Sequence, residues 1–312
     1  MSKESLIDRL DEAISRILTN PDVVSPPADA EFAEQVRIAR DLRDLPNPEF
    51  KRVLKADLEK RALMIATVFG RGFRTITPYL LPPGPEFMDF VKRVFDAEET
   101  FRAESGPGMF HAEVRIGDSM LMIGVGSRRR MPAALLVYVK DADDTYRRAL
   151  AAGATSRREM NESYGDRSGV VEDSAGNTWC IATHLGGQSI GQEYLNTVTV
   201  AFSVKNAGAF IDFLRHAFNA QEILRYDSPE GEVNHAKIRI GESVVVVGET
   251  NEDRPSTATM INMYVPDCDA LYAQALRTGV KSISPPVDQS YGYRSGAVED
   301  AWGNQWFIST PL

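Results

Sequence analysis

The stretch Tyr164-Gly-Asp-Arg-Ser-Gly-Val-Val-Glu-Asp-Ser-Ala-Gly-Asn-Thr-Trp-Cys-Ile-Ala-Thr183 returns as Tyr291-Gly-Tyr-Arg-Ser-Gly-Ala-Val-Glu-Asp-Ala-Trp-Gly-Asn-Gln-Trp-Phe-Ile-Ser-Thr310, identical at 13 of 20 positions. The displacement is 127 residues. Working outward, three further blocks return in the same order. Phe87-Met-Asp-Phe answers Phe210-Ile-Asp-Phe, His111-Ala-Glu-Val-Arg-Ile-Gly answers His235-Ala-Lys-Ile-Arg-Ile-Gly, and Asp141-Ala-Asp answers Asp267-Cys-Asp. A period of this length is far beyond a solenoid unit, so each copy reads as a domain. The copies occupy 71–187 and 193–312, joined by the polar, Gly-rich Gly186-Gly-Gln-Ser-Ile-Gly191.

Residues 1–70 form a helical leader in this reading. Leu6, Leu10, Ile14 and Ile17-Leu18 keep a 3.6-residue period; Phe32, Val36, Ile38 and Leu42 keep another after Pro26-Pro27; Phe50, Val53-Leu54, Leu58 and Leu63 keep a third after Pro48. Such stripes serve core packing, with docking of a partner as the alternative.

Within the first copy, alternation predicts strands over Thr75–Leu81, Glu98–Ala103, Met109–Ile116 and Ser119–Ile123, and a helix over Glu86–Phe95. The same βαβββ order follows with a strand over Ala134–Val139, a helix over Asp143–Ala151, and strands near Ser156–Met160, Ser168–Glu172 and Asn177–His184. Each copy is therefore two βαβββ modules, and the class is α+β.

Composition bounds the function. Lys+Arg 35 against Asp+Glu 44 leaves a net charge of −9, the reverse of the basic footprint of a nucleic-acid binder. No apolar run reaches membrane-spanning length and the first residues lack a signal-peptide layout, so the expectation is a cytoplasmic protein with no membrane partner. Cys180 and Cys268 stand at no metal-ligand spacing and read as buried thiols.

The repeated motifs resemble the vicinal oxygen chelate superfamily, which includes glyoxalase I, extradiol dioxygenases, fosfomycin-resistance enzymes and bleomycin-binding proteins. They look most like its PhnB-like branch. The resemblance rests on His111 to Asp118, Asp141 to Asp143, Ala152 to Ala154 and Tyr164 to His184, repeated through His235, Asp267, Tyr291 and Trp306. It covers about residues 72 to 312 and implies two tandem domains, each of paired modules curled into an incomplete barrel whose concave face holds the ligand.

Alternation assigns the faces. Ala112, Val114 and Ile116 belong under a helix, which turns His111, Glu113 and Arg115 the other way, with His235, Lys237 and Arg239 as their equivalents. Thr77 and Tyr79 on the first strand, and His184 with Cys180 on the last, join that set. His111 and His235 share one repeat position and are the candidate acid–base residues. Tyr164 with Arg167, and Tyr291 with Arg294, sit in a Tyr-Gly-x-Arg-Ser-Gly loop. Either the arginines brace Asp173 and Asp300, or they bind a substrate carboxylate or phosphate.

Metal-dependent relatives imply a His or Gln on a first strand and a Glu on a last strand. Here those places hold Thr77 and Thr199, Cys180 and Phe307, so the usual metal tetrad is not expected. His111, Glu113 and His184 remain weak candidates for an atypical divalent metal, and no cofactor is otherwise implied. The resulting expectation is a protein that binds a small organic molecule in one or both cavities, as bleomycin-binding relatives sequester theirs. The alternatives are a lyase, isomerase or transferase working through those same residues, and a regulatory module whose leader docks a partner. A homodimer is left open.

Overall fold

The computed structural model describes residues 48–163, 165–186, 195–251 and 254–312. The two upstream helices expected in the leader lie outside the described residues, as do Tyr164 and most of the link between the copies. The third is α1, Pro48–Thr67, which opens on a proline whose missing N–H is no loss in a first helical turn. The chain divides into two compact units, Met1–Arg61 and Ala62–Leu312, and the second holds every strand among the described residues.

That unit repeats βαβββ four times. The first module is β1 (Ile76–Leu80), α2 (Glu86–Phe95), β2 (Glu98–Gly106), β3 (Met109–Ile116) and β4 (Ser119–Val125); the second is β5 (Ala134–Tyr138), α3 (Ala142–Ala151), β6 (Thr155–Ser163), β7 (Asp166–Glu172) and β8 (Thr178–His184). The third is β9 (Val198–Val204), α4 (Ala207–Phe218), β10 (Gln221–Asp227), β11 (Val233–Ile240) and β12 (Ser243–Glu249). The fourth is β13 (Met260–Tyr264), α5 (Cys268–Leu276), β14 (Lys281–Gln289), β15 (Tyr293–Glu299) and β16 (Gln305–Pro311). Helices α3 and α5 start where Asp141 and Asp267 accept a bond from the N–H three residues on, satisfying a donor the helix cannot.

The modules form two eight-stranded mixed sheets, and each sheet draws on both copies. The first sheet runs β14-β15-β16-β13-β1-β4-β3-β2, the second β10-β11-β12-β9-β5-β8-β7-β6. Antiparallel pairing of β1 with β13 (Thr77 opposite Asn262) joins module one to module four, and pairing of β5 with β9 (Leu136 opposite Thr199) joins module two to module three. The hairpin turns lock this exchange. Ser119 Oγ, just past the Gly117 turn, accepts from Val198 N at 2.9 Å, and Ser243 Oγ, just past the Gly241 turn, accepts from Ile76 N at 2.8 Å.

Helices pack the other way, within each copy. Arg148 on α3 reaches Asp96 at the end of α2, and Gln274 on α5 donates to Asn219 at the end of α4. One continuous core results, with Trp179 and Trp306 fully buried. Phe95 lies 4.6 Å from Trp179 and Phe218 lies 4.7 Å from Trp306, ring centre to ring centre. Each sealed indole withdraws about 200 Å² from water, on the order of 5 kcal/mol.

The expected brace between Arg167 and Asp173 does not form, nor that between Arg294 and Asp300. The arginine begins a strand and the aspartate follows its end, some 20 Å apart in extended chain. Asp173 instead accepts from Ala175 N, Asn177 N, Asn177 Nδ2 and Trp179 Nε1, while Asp300 repeats the pattern toward Trp306. Arg167 pairs bidentately with Asp143 at 2.8 and 2.6 Å, and Arg294 with Asp269 at 2.6 and 2.8 Å.

Candidate functional site

Each sheet has an outer face under α2 to α5 and an inner face turned away from them. On β3 the outward Ala112, Val114 and Ile116 are sealed, and the inward residues are His111, Glu113 and Arg115. Strand period alone produces this division.

The inner face of the first sheet is filled by its own chain. Met64, Val68 and Phe73 are 2%, 0% and 1% exposed, and pack with Met120, Met122 and Tyr264 into a second apolar cluster separate from the main core. Arg71, at the end of the 3-10 turn Phe69–Arg71, forms an ion pair with Glu113. Its guanidinium carbon stands 5.2 Å from the Phe73 ring centre. Burial raises the Glu113 carboxyl above its usual range, and Arg71 works against that rise. His111 is held below its ordinary value by burial, and its Nδ1 lies 3.1 Å from the Tyr79 hydroxyl. Arg115 is exposed. Tyr291 is exposed at the rim, 6.2 Å from Tyr293 between ring centres.

The inner face of the second sheet is polar. Tyr138 donates to Asp166 Oδ2 at 2.6 Å, and Asp166 Oδ1 lies 3.0 Å from His184 Nδ1, because register sets Asp166 directly opposite His184. From module three come His235 and Lys237 on β11. Burial, then Lys237 and Arg254, push His235 down to about 4. Lys237, 6% exposed, is lowered by burial and supported by the charge of Asp166. Cys180 feels Arg158, Asp166 and Arg254 together, so groups from modules two and three converge around it; burial raises its thiol, which is therefore a thiol and not a thiolate.

The sequence-predicted residues are thus redistributed. His111, Glu113, Arg115, Thr77 and Tyr79 share the first sheet, while His184 joins His235, Lys237 and Arg239 on the second. The atypical metal group of His111, Glu113 and His184 is not assembled, because His184 lies on the other sheet from His111 and Glu113. Arg167 and Arg294 lie on the helix side, tied to α3 and α5, because they alternate with the inward Asp166 and Tyr293. Tyr164 is outside the described residues.

Among the described residues no three His, Cys, Asp or Glu side chains are grouped so as to hold a metal ion. Sequence reasoning passed over Tyr138, Asp166, Arg158 and Arg254, and also Arg71. Asp166 had a signal in its two-strand register with His184. Arg71, in the stretch between the leader helix and the first strand, had none.

The model of the Glyoxalase/Bleomycin resistance protein/Dioxygenase superfamily matches residues 196–308. Two uncharacterised mycobacterial proteins, one of Mycobacterium bovis and one of Mycobacterium tuberculosis, are each 32% identical over 123 residues. Those matches cover 35% of this chain and 79% and 71% of theirs. Glyoxalase I from Zea mays superposes with a TM-score of 0.59 at 11% identity, over 76% of this chain and 92% of that one. At that identity the likeness concerns the fold, and it spans both sheets. With four βαβββ modules paired into two sheets and a family match in the second copy, the chain belongs to the glyoxalase/bleomycin resistance/dioxygenase superfamily.

Proposed function

We propose that the protein binds a small organic anion on the inner face of the second sheet. The observation that supports this reading is the set of charged groups on that face: Lys237, only 6% exposed, feels the charge of Asp166, His235 feels Lys237 and Arg254, and Cys180 feels Arg158 and Arg254. Cationic groups gathered on one face attract an anion, and a ligand carboxylate, phosphonate or enolate would meet them through charge-assisted hydrogen bonds. The reading is metal-free. Register sets Cys180, Leu136 and Thr199 side by side on this sheet, and Thr77, Asn262 and Phe307 on the other, which is not a donor set for a divalent cation.

Thermal-shift and calorimetric titration with small carboxylates and phosphonates tests it. Anions are expected to raise the unfolding midpoint in a salt-sensitive way, with affinity lost at least tenfold in Lys237→Met and kept in Glu113→Gln. Binding indifferent to Lys237→Met would overturn the assignment.

A second reading, proton transfer on the bound anion, draws on the Tyr138–Asp166–His184 chain. With Nδ1 held by Asp166, His184 Nε2 is the nitrogen to exchange a proton, on the sheet that also carries a neutral His235. Deuterium exchange into a bound carbonyl acid, lost in His184→Gln with binding intact, is the expected sign; exchange unchanged by that substitution would exclude it.

A further inference from the structure

Equivalent positions in the two copies hold Glu113 and Lys237, nearly sealed at 7% and 6% exposure and opposite in charge. Around Glu113 the inner face of the first sheet is aromatic. Phe73 packs edge-on to Tyr264 at 5.5 Å between ring centres, and Tyr264 lies 5.6 Å from Tyr293. Into this box Arg71 brings its guanidinium, ion-paired with Glu113 and over the Phe73 ring.

We propose that this face is a binding site for guanidinium-type organic cations, and that Arg71 occupies it as a ligand tethered in the same chain. A carboxylate withdrawn from water among aromatic rings calls for a cation, and a planar one that can bond a carboxylate edge while lying against a ring fits best. The tether is specialised for the task. Arg71 ends a three-residue 3-10 turn, and the next residue, Gly72, sits at φ 91, a conformation that other residues adopt only with strain. Met64, Val68 and Phe73 anchor the segment on both sides of Arg71, so removing one side chain leaves the apolar plug in place. The Arg71 side chain is 47% exposed, so an external cation can reach the same carboxylate. The site uses a different sheet and different residues from the anion site, and stands or falls without it.

Full-length Arg71→Ala titrated with ethylguanidinium chloride, against sodium chloride and propylammonium chloride at equal concentration, tests the proposal. The variant is expected to unfold at a lower temperature than the parent. Ethylguanidinium should restore at least half of the difference while leaving the parent unchanged. A probe of this size binds with a dissociation constant on the order of millimolar, which isothermal calorimetry reads directly. Rescue should vanish in Arg71→Ala/Glu113→Gln. A folded Arg71→Ala that responds to ethylguanidinium no more than to sodium, or a response that survives Glu113→Gln, overturns the proposal. If the alanine variant does not fold, Arg71→Met keeps the aliphatic stem and takes the same titration; failure of both variants to fold with the probe present also counts against it.

Discussion

His235 shows what one half-buried side chain does to the whole molecule's response to acid. Its imidazole titrates near 6.5 in an unfolded chain and at about 4 in the fold, because burial, Lys237 and Arg254 all oppose a further positive charge. Between these values the unfolded chain binds more protons, so stability is intact above pH 6.5 and drains away as pH falls toward 4. The gap corresponds to about 3 kcal/mol. His111, lowered by burial alone, acts with the same sign. Asp173 and Asp300, raised by burial, act with the opposite sign, adding stability as pH falls through their raised values. Urea unfolding midpoints are therefore expected to fall between pH 6.5 and 4 in the parent, with that slope visibly flattened in His235→Gln. An identical slope in the variant would assign the acid sensitivity elsewhere. The face on which His235 lies was legible from alternation with Ala236 and Ile238, both fully buried. Its neighbour Arg254 was not, because it sits in a loop whose path no periodicity encodes.

At the scale of elements, local pattern and local structure agree closely. The helix predicted over Glu86–Phe95 has those bounds, and the tight Gly117-Asp118 and Gly241-Glu242 turns link β3 to β4 and β11 to β12. Those turns do more than reverse the chain. Gly117 and Gly241 sit at φ 57 and φ 55, and a methyl group on either would approach the hydroxyl of Thr197 or Thr75 at 2.4 Å. Glu242 N also donates to Thr75 Oγ1 at 3.0 Å, so the turn of one module holds the start of another module's first strand. Gly241→Ala combines backbone strain with this collision and should destabilise by about 2 kcal/mol, read as a lower urea midpoint. A change under about 0.5 kcal/mol would mean that the turn is not under this constraint. The arginine partners were misread at this same scale. Asp143 and Asp269 recur at matching places in the repeated Asp-x-Asp blocks, yet Asp173 and Asp300 recur too, and only the strand's length between Arg167 and Asp173 separates the two readings.

For the whole molecule, what no local pattern carries is which module pairs with which. β1 and β5 have the composition to accept either neighbour, and the exchange is decided by contacts 79 or more residues apart: Thr77 with Asn262, Ser119 with Val198, Ser243 with Ile76. A single copy keeps its helix pair but leaves β9 and β13 each with one unpaired edge, and such edges seek partners. Residues 195–312 expressed alone are expected to self-associate, with a mass by light scattering of twice the fragment or more. A well-folded monomer at micromolar concentration would show that the copy closes on itself after all.

The crosswise sheets also loosen a symmetry. In a two-fold dimer of identical subunits, any substitution on one inner face is made on both, and no ligand preference can be gained by one without the other. Here the two faces are written by separate codons of one chain, which is what allows a carboxylate at 113 and an ammonium at 237 in the same molecule. One face could close over a piece of its own chain without its twin having to do the same.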